Sequence, residues 1–483
     1  MLYSSPEYFV FFAVVWLAYW AAGTHQRSRL VILTAGSLFF YAWAGIFDFF
    51  IFALVVLVSW AAVALAHRSR EARSRTMFLV GGVVLMAMHL LFWKYAPWLC
   101  SLVQTVDPKF LDGVPVHLPL PIGISFFTLQ GIAYLVDYGR SDANYMKLRE
   151  YVLFKSFFPQ LIAGPIVRMK HLGPQLLHLP QVDADTFRWG LSLFALGFFK
   201  KVAIADRMAV IADPVFTNPG HYGAGNIVLA LLAYTAQIWG DFSGYTDMGR
   251  GSAKMLGIHL PENFHSPYLA RSPSEFWRRW HVTLSTWIRD YIYIPLGGSS
   301  GGVLRTTFVV VVTMSISGLW HGAALTFMIW GLYHGGLLVA ERLTKRAGFA
   351  VFEGAVALPL MFTLTVFGWL IFRSESIDGL LTMLKTLAGF GQAASAKLPW
   401  PAGILGFGCC MLLQLFGYTR LDGKGERQGA SLVQLSVAYW NAHVLRDPSV
   451  RAGLSGAGVA VVIVAALVLR AGDTSNRFIY FQF

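Results

Sequence analysis

The chain has 483 residues, 56% hydrophobic, 15% aromatic and only 13% charged, against roughly a quarter charged in ordinary soluble domains. With a strongly positive mean hydropathy, this points away from a string of soluble domains and toward a single membrane-embedded unit over 1–483. The formal net charge of +13 is read as Lys and Arg gathered in cytoplasmic loops; no basic run is interleaved with a nucleic-acid fold, so nucleic acid is set aside and membrane lipid is the expected surrounding.

Apolar stretches occupy 7–23, 30–43, 46–66 and 77–93, each close to the roughly 20 residues that cross hydrocarbon as a helix. The start, Met1 to Glu7, lacks Lys and Arg, so the first helix is expected to stay rather than be cleaved. Loop 23–29 carries Arg27 and Arg29, and loop 67–76 carries Arg68, Arg70, Arg73 and Arg75 against Glu71 alone. The turn near Asp48 has no basic residue. This alternation places the N-terminus on the periplasmic side and both Arg loops in the cytoplasm.

Beyond Trp93 the pattern is interrupted by Pro97, Pro108, Pro115, Pro119 and Pro121. Pro-Ile-Gly-Ile-Ser-Phe-Phe at 121–127 opens a helix that runs to Asp137, proline suiting a first turn. The piece 157–166 is apolar but split by Pro159, Gly164 and Pro165, which predicts a re-entrant or interfacial segment. A helical run follows at 188–204, closed by Lys200, Lys201 and Arg207, and then a span at 226–239 with Asp241 and Asp247 just past its end. Section 249–302 mixes charges with Trp, Tyr and Phe, as helices lying in the interface do. Stretches 304–312 and 313–340 resume the membrane pattern, and further spans are expected at 351–372, 401–418 and 454–469. The connections 373–400 and 419–453 are polar enough for a surface, and the aromatic tail 477–483 suits the headgroup level. The fold class is therefore an all-α polytopic membrane protein with roughly 10–12 membrane helices plus re-entrant and interfacial helices. No internal repeat marks the inverted halves of a transporter.

His321 lies in the apolar run 313–340, where a titratable ring is costly unless it is used or satisfied. It is either a neutral ring bonded to a neighbouring helix or a general base, a role that suits imidazole near neutral pH; function is favoured. His334, in the same run, is balanced between the two readings, and His281, beside Arg278 and Arg279, is equally undecided from spacing alone. Asp241 and Asp247 are placed to pair with arginines or orient a histidine. Ser243 lacks the glycine two residues earlier that a nucleophile elbow needs. The run Gly297-Gly298-Ser299-Ser300-Gly301-Gly302 lacks the Lys-Ser/Thr of a phosphate loop. Cys100, Cys409 and Cys410 form no metal or disulfide pattern, and no metal site is expected. Arg140, Lys147, Arg149, Lys155, Arg168, Lys170, Lys200 and Lys201 form a basic reservoir that serves topology and lipid phosphate or, as a group, a polyanionic donor such as coenzyme A.

Phe276-Trp-Arg-Arg-Trp-His281, then Leu284-Ser-x-Trp287-x-Arg-Asp-Tyr-Ile-Tyr-Ile-Pro-Leu-Gly-Gly298 and Gly318-Leu-Trp-His-Gly322, resemble the central block of the membrane-bound O-acyltransferases, within 240–335. Asp241-Phe-Ser-Gly-Tyr-Thr-Asp-Met248, Phe158-Pro-Gln-Leu-Ile-Ala-Gly-Pro165, Glu262-Asn-Phe-x-x-Pro-Tyr268 and the tail Phe478-Ile-Tyr-Phe-Gln-Phe483 are similar to the branch of that family acting in alginate O-acetylation. The resemblance runs from first helix to last residues with no motif residue missing. It implies helices around a central funnel or tunnel lined by paired histidines, with His321 the essential one and His281 its partner. Asp241, Ser243, Tyr245, Arg279, Trp280 and Trp320 become candidates for the tunnel wall, and Arg168, Lys170, Lys200 and Lys201 for the donor site. The implied reaction draws an acetyl group from cytoplasmic acetyl-CoA, a substrate rather than a bound cofactor. The group crosses the inner membrane to a periplasmic SGNH-hydrolase-like acetyltransferase that modifies an exopolysaccharide. D-Alanyl transfer to teichoic acid, which uses the same block, is the alternative within the family; a small-molecule transporter and a secretion scaffold are the alternatives outside it.

Overall fold

The computed structural model describes residues 1–104, 107, 119–390, 396–421 and 427–428. Pro108, Pro115, the expected span 454–469, most of the connection 419–453 and the tail 477–483 lie outside the described residues. Helix dominates what is described, and a two-residue antiparallel pairing joins Arg420–Leu421 to Arg427–Gln428.

Four apolar helices open the chain: α1 (Pro6–Ala21), α2 (Gln26–Ala42), α3 (Ile46–Arg68) and α4 (Ala72–Gln104). The Ser5 side chain caps α1 by accepting from the Tyr8 N–H, with Pro6 in the first turn, the arrangement that satisfies an otherwise orphaned donor. Helix α4 runs through Pro97, beyond the expected 77–93. Its Met77, Leu85, Met88 and Phe92 are exposed, an apolar surface far larger than water tolerates and one that hydrocarbon accepts.

Helix α5 (Ile124–Gly139) starts after Gly123, held at φ 76°. Then α6 (Leu148–Ser156) and the single turn α7 (Phe158–Leu161) carry the piece expected to be re-entrant. Residues 153–167 are buried without interruption, so the broken backbone must find its bonds in protein. Tyr3 donates its hydroxyl to the Phe158 carbonyl at 2.6 Å, the Phe158 N–H donates to Ser37 Oγ at 3.2 Å, and Gln160 Nε2 donates to the Phe154 carbonyl at 2.7 Å. Lys155 is fully buried and its Nζ donates to the Phe127 carbonyl; burial pushes this amine well below the ordinary lysine range.

Next come α8 (Met169–Leu177) and α9 (Ala184–Phe199), a π-wound turn at Lys200–Ala205, α10 (Asp206–Thr217) and α11 (Ala224–Met255). The span expected to stop before Asp241 instead continues for 32 residues in all. Its polar residues stay helical because partners come to them: Lys201 to Asp241 at 2.6 Å, and Arg250 to Asp247 at 3.0 Å.

Two short helices, α12 (Pro273–Arg279) and α13 (Val282–Ile288), lead to α14 (Val303–His321) and α15 (Leu325–Arg346). The stretches read as 304–312 and 313–340 are thus redivided: the first joins residues up to His321, and the chain breaks at Gly322. Phe276, Arg279, Trp280 and Leu284 are at most 1% exposed, so this part of 249–302 is packed into protein rather than laid on a surface. Then come α16 (Ala357–Arg373), α17 (Ile377–Leu387), which occupies part of the expected connection 373–400, and α18 (Trp400–Gly417).

By length and composition α3, α4, α14 and α18 are able to cross a membrane, and α1 and α16 are shorter apolar helices. Helix predominates among the described residues, and the chain is a multi-pass membrane protein. It gathers into two compact units: Met1–Phe194 with Tyr245–Pro261, and Ala195–Gly244 with the described residues from Glu262 on.

Candidate active site

His321 is the last residue of α14, and glycine decides where that helix sits. A Cβ on Gly318 would fall 2.2 Å from the Phe327 carbonyl oxygen, and one on Gly331 would fall 2.4 Å from that of Met314. With only hydrogen at both positions, α14 and α15 lie backbone to backbone, as small residues permit between helices in membranes. At Gly322 a side chain would strike the Phe327 ring at 2.1 Å. The close approach carries the His321 imidazole, 5% exposed, among the rings of Trp320, Trp330 and Phe372, with centroids 4.9, 5.1 and 5.1 Å away and all edge-on.

His281 is held differently. It stands between α12 and α13, seven residues each and too short to span hydrocarbon. Its backbone is left-handed, at φ 42° and ψ 54°, a conformation that histidine visits more readily than most residues but that costs about 1–2 kcal/mol for an L residue. Hydrogen bonds hold it there. Asn263 accepts the Val282 N–H on its backbone oxygen at 3.0 Å, and its Oδ1 accepts both the N–H and the hydroxyl of Thr283, at 3.1 and 2.7 Å. The imidazole is fully buried, edge-on to Phe242 at 4.7 Å. Burial pushes its pKa down to about 3, so the ring is neutral at physiological pH and offers one donor and one acceptor.

Trp320 joins the two settings, with its ring centroid 6.1 Å from that of His281 and 4.9 Å from that of His321. On the His281 side, Asp241 precedes Phe242 on α11. Its carboxylate lies 2.6 Å from Lys201 Nζ, which is also 2.8 Å from Asp206. Glycine again permits the contact: a Cβ on Gly244 would fall 2.6 Å from the Gly197 carbonyl oxygen and one on Gly240 3.0 Å from that of Lys200.

The remaining candidates are distributed as follows. Lys201, expected at the donor, spends its charge on two carboxylates within the protein. Lys200 is buried, with its ammonium 4.9 Å from the centre of the Trp239 ring. Arg279 bonds Glu275 at 2.8 Å and the carbonyls of His265 at 2.8 Å and Thr419 at 3.2 Å. Trp280 packs on Trp369 at 4.7 Å and Phe264 at 5.0 Å. Ser243 is buried on α11. Tyr245 belongs to the first unit, where it stacks on Tyr3 at 4.3 Å; also there, Arg168 is half-buried before α8 and Lys170 is exposed. His334 is buried among Trp277 at 5.1 Å and Trp330 at 4.8 Å. Trp330, Phe372 and Asn263 also belong to the site. The first two lie on later helices whose packing no local pattern discloses, whereas Asn263 was visible inside the Glu262-Asn-Phe motif, though without a role.

A multi-pass helical membrane protein with two buried imidazoles meeting at one indole is the class that fold and site define. The model of the MBOAT, membrane-bound O-acyltransferase family, matches residues 124–371. The chain is 38% identical to the probable alginate O-acetylase of Pseudomonas syringae pv. tomato, with all of both chains covered. It is 32% identical to the peptidoglycan O-acetyltransferase of Helicobacter pylori, covering 82% of each chain. To the teichoic acid D-alanyltransferase of Bacillus subtilis it is 27% identical, over 64% of this chain and 81% of that one. The chain belongs to the membrane-bound O-acyltransferase family, and it is an acyltransferase.

Proposed function

We propose that the chain takes an acetyl group from acetyl-CoA on the cytoplasmic side of a bacterial inner membrane and passes it outward for O-acetylation of an exported, alginate-like polysaccharide. A periplasmic SGNH-hydrolase-like acetyltransferase completes the transfer. The observation that carries the proposal is the convergence of His281 and His321 on Trp320 in a chain whose full-length relative is named a probable alginate O-acetylase.

A thioester is already activated, so the protein supplies a base, orientation and exclusion of water. His321 takes the proton of the acceptor hydroxyl as its oxygen attacks the acetyl carbon. The carbon–sulfur bond breaks, an ester bond forms, and the proton passes to the departing thiolate to give free CoA. Neutral His281 orients the acceptor or the carbonyl oxygen through a hydrogen bond. The proposal uses no resident metal or cofactor.

The test is acetyl transfer from radiolabelled acetyl-CoA in membrane vesicles. His321→Ala is expected to lower the rate by about 10²–10⁴-fold while the protein inserts normally. A wild-type rate in that variant overturns the assignment, and D-alanyl transfer from a carrier-protein thioester would replace the donor.

A further inference from the structure

We infer that Asn263 is a positioning residue for the reaction, acting through His281. The inference rests on the proposed role of His281.

The geometry is specific. His281 is one of three non-glycine residues with positive φ among those described, and its ring direction follows from that backbone. The residues fixing it are the two that come next, and Asn263 holds both: its backbone oxygen takes the Val282 N–H at 3.0 Å, and its Oδ1 takes the Thr283 N–H at 3.1 Å and hydroxyl at 2.7 Å. The Thr283 N–H only donates, so the amide orientation of Asn263 is determined: Oδ1 faces α13 and Nδ2 points away from it. The side chain thus does for α13, from a distant strand of chain, what an N-cap residue does for its own helix. His281 itself occupies the N-cap position and makes no side-chain cap bond. Asn263 is 1% exposed, so no water competes for these bonds. Phe264 follows it and packs edge-on to both Phe242 and Trp280, at 5.1 and 5.0 Å. Phe242 in turn lies against His281. One short segment therefore sets the His281 backbone through hydrogen bonds and one wall of its ring through packing.

A displaced imidazole leaves donor binding intact and slows the chemistry, because a misplacement of about 1 Å costs on the order of 10²-fold. The experiment measures acetyl transfer from radiolabelled acetyl-CoA in vesicles for Asn263→Ala, Thr283→Val, Thr283→Ser, His281→Gly and the double variant Asn263→Ala/His281→Gly. Asn263→Ala is expected to lower kcat by about 10- to 100-fold with KM for acetyl-CoA unchanged. Thr283→Val should fall in the same direction by less, and Thr283→Ser, which restores the hydroxyl, should recover the rate. The double variant should be no slower than His281→Gly alone, the mark of residues acting as one unit. Multiplicative losses in the double variant would make Asn263 merely structural and overturn the inference. So would wild-type rates in both Asn263→Ala and Thr283→Val when His281→Gly is slow. Should His281→Gly itself keep the wild-type rate, the reading of His281 fails rather than the clamp alone. If Asn263→Ala does not fold, Thr283→Val against Thr283→Ser decides: equal rates overturn the inference, and a slow valine variant supports it.

Discussion

The two histidines meet at the same indole but are placed by opposite means. His321 is positioned by the absence of side chains: Gly318 and Gly331 let two long helices touch, and the ring follows from where α14 ends. His281 is positioned by polar bonds: Asn263, Thr283 and, one helix away, the Lys201 ammonium between Asp206 and Asp241. Packing is a property of whole helix faces and fails when volume is added. A hydrogen-bonded loop fails when a single atom is removed, with volume unchanged.

This contrast is testable from both sides. The largest effect is expected on the His281 side for Lys201→Met, which leaves two carboxylates without their buried cation and should destabilise by about 3–5 kcal/mol, read as a lower melting temperature in detergent. Gly318→Ala on the His321 side adds one methyl where 2.2 Å is available. It should cost about 1–3 kcal/mol by overpacking and slow acyl transfer by displacing the ring; an unchanged melting curve would mean that the helices part without penalty. Lys155→Met is the control for Lys201: its amine donates to the Phe127 carbonyl rather than to a carboxylate, so replacing it with an apolar side chain of similar length is expected to be neutral or stabilising.

A further effect concerns pH. The His281 pKa is lowered to about 3 in the folded chain, against about 6.5 when unfolded. The unfolded state therefore binds the extra proton between these values, and stability is lost as pH falls through that window. Between about pH 7 and about pH 5 the wild type should lose more melting temperature than His281→Gly. Equal losses would mean that His281 titrates alike in both states.

The long apolar helices were legible because hydrocarbon imposes a length and a composition: 7–23, 30–43 and 46–66 became α1, α2 and α3 with small shifts at their ends. What escaped was everything settled by a partner distant in sequence. Asp241 looked like the end of a span because its cation, Lys201, lies 40 residues earlier (241 − 201), and α11 simply continues past it. The run 313–340 looked continuous because Gly322, Ala323 and Ala324 are apolar, although a close helix pair needs just such small residues at its turn. His321 could be nominated from its surroundings in sequence. His281 could not, since its left-handed backbone and its tie to Asn263 belong to tertiary structure.

The left-handed backbone at position 281 also governs what a mutational scan there will report. Glycine, asparagine and aspartate accept φ near 42°, whereas valine, isoleucine and threonine bring a branched Cβ into conflict with it. With His281 acting as proposed, loss of function at this position divides into two groups, one lacking the imidazole and one lacking the turn. Expression level separates them: glycine should accumulate like the wild type and stay inactive, and valine should be depleted before its activity is ever sampled.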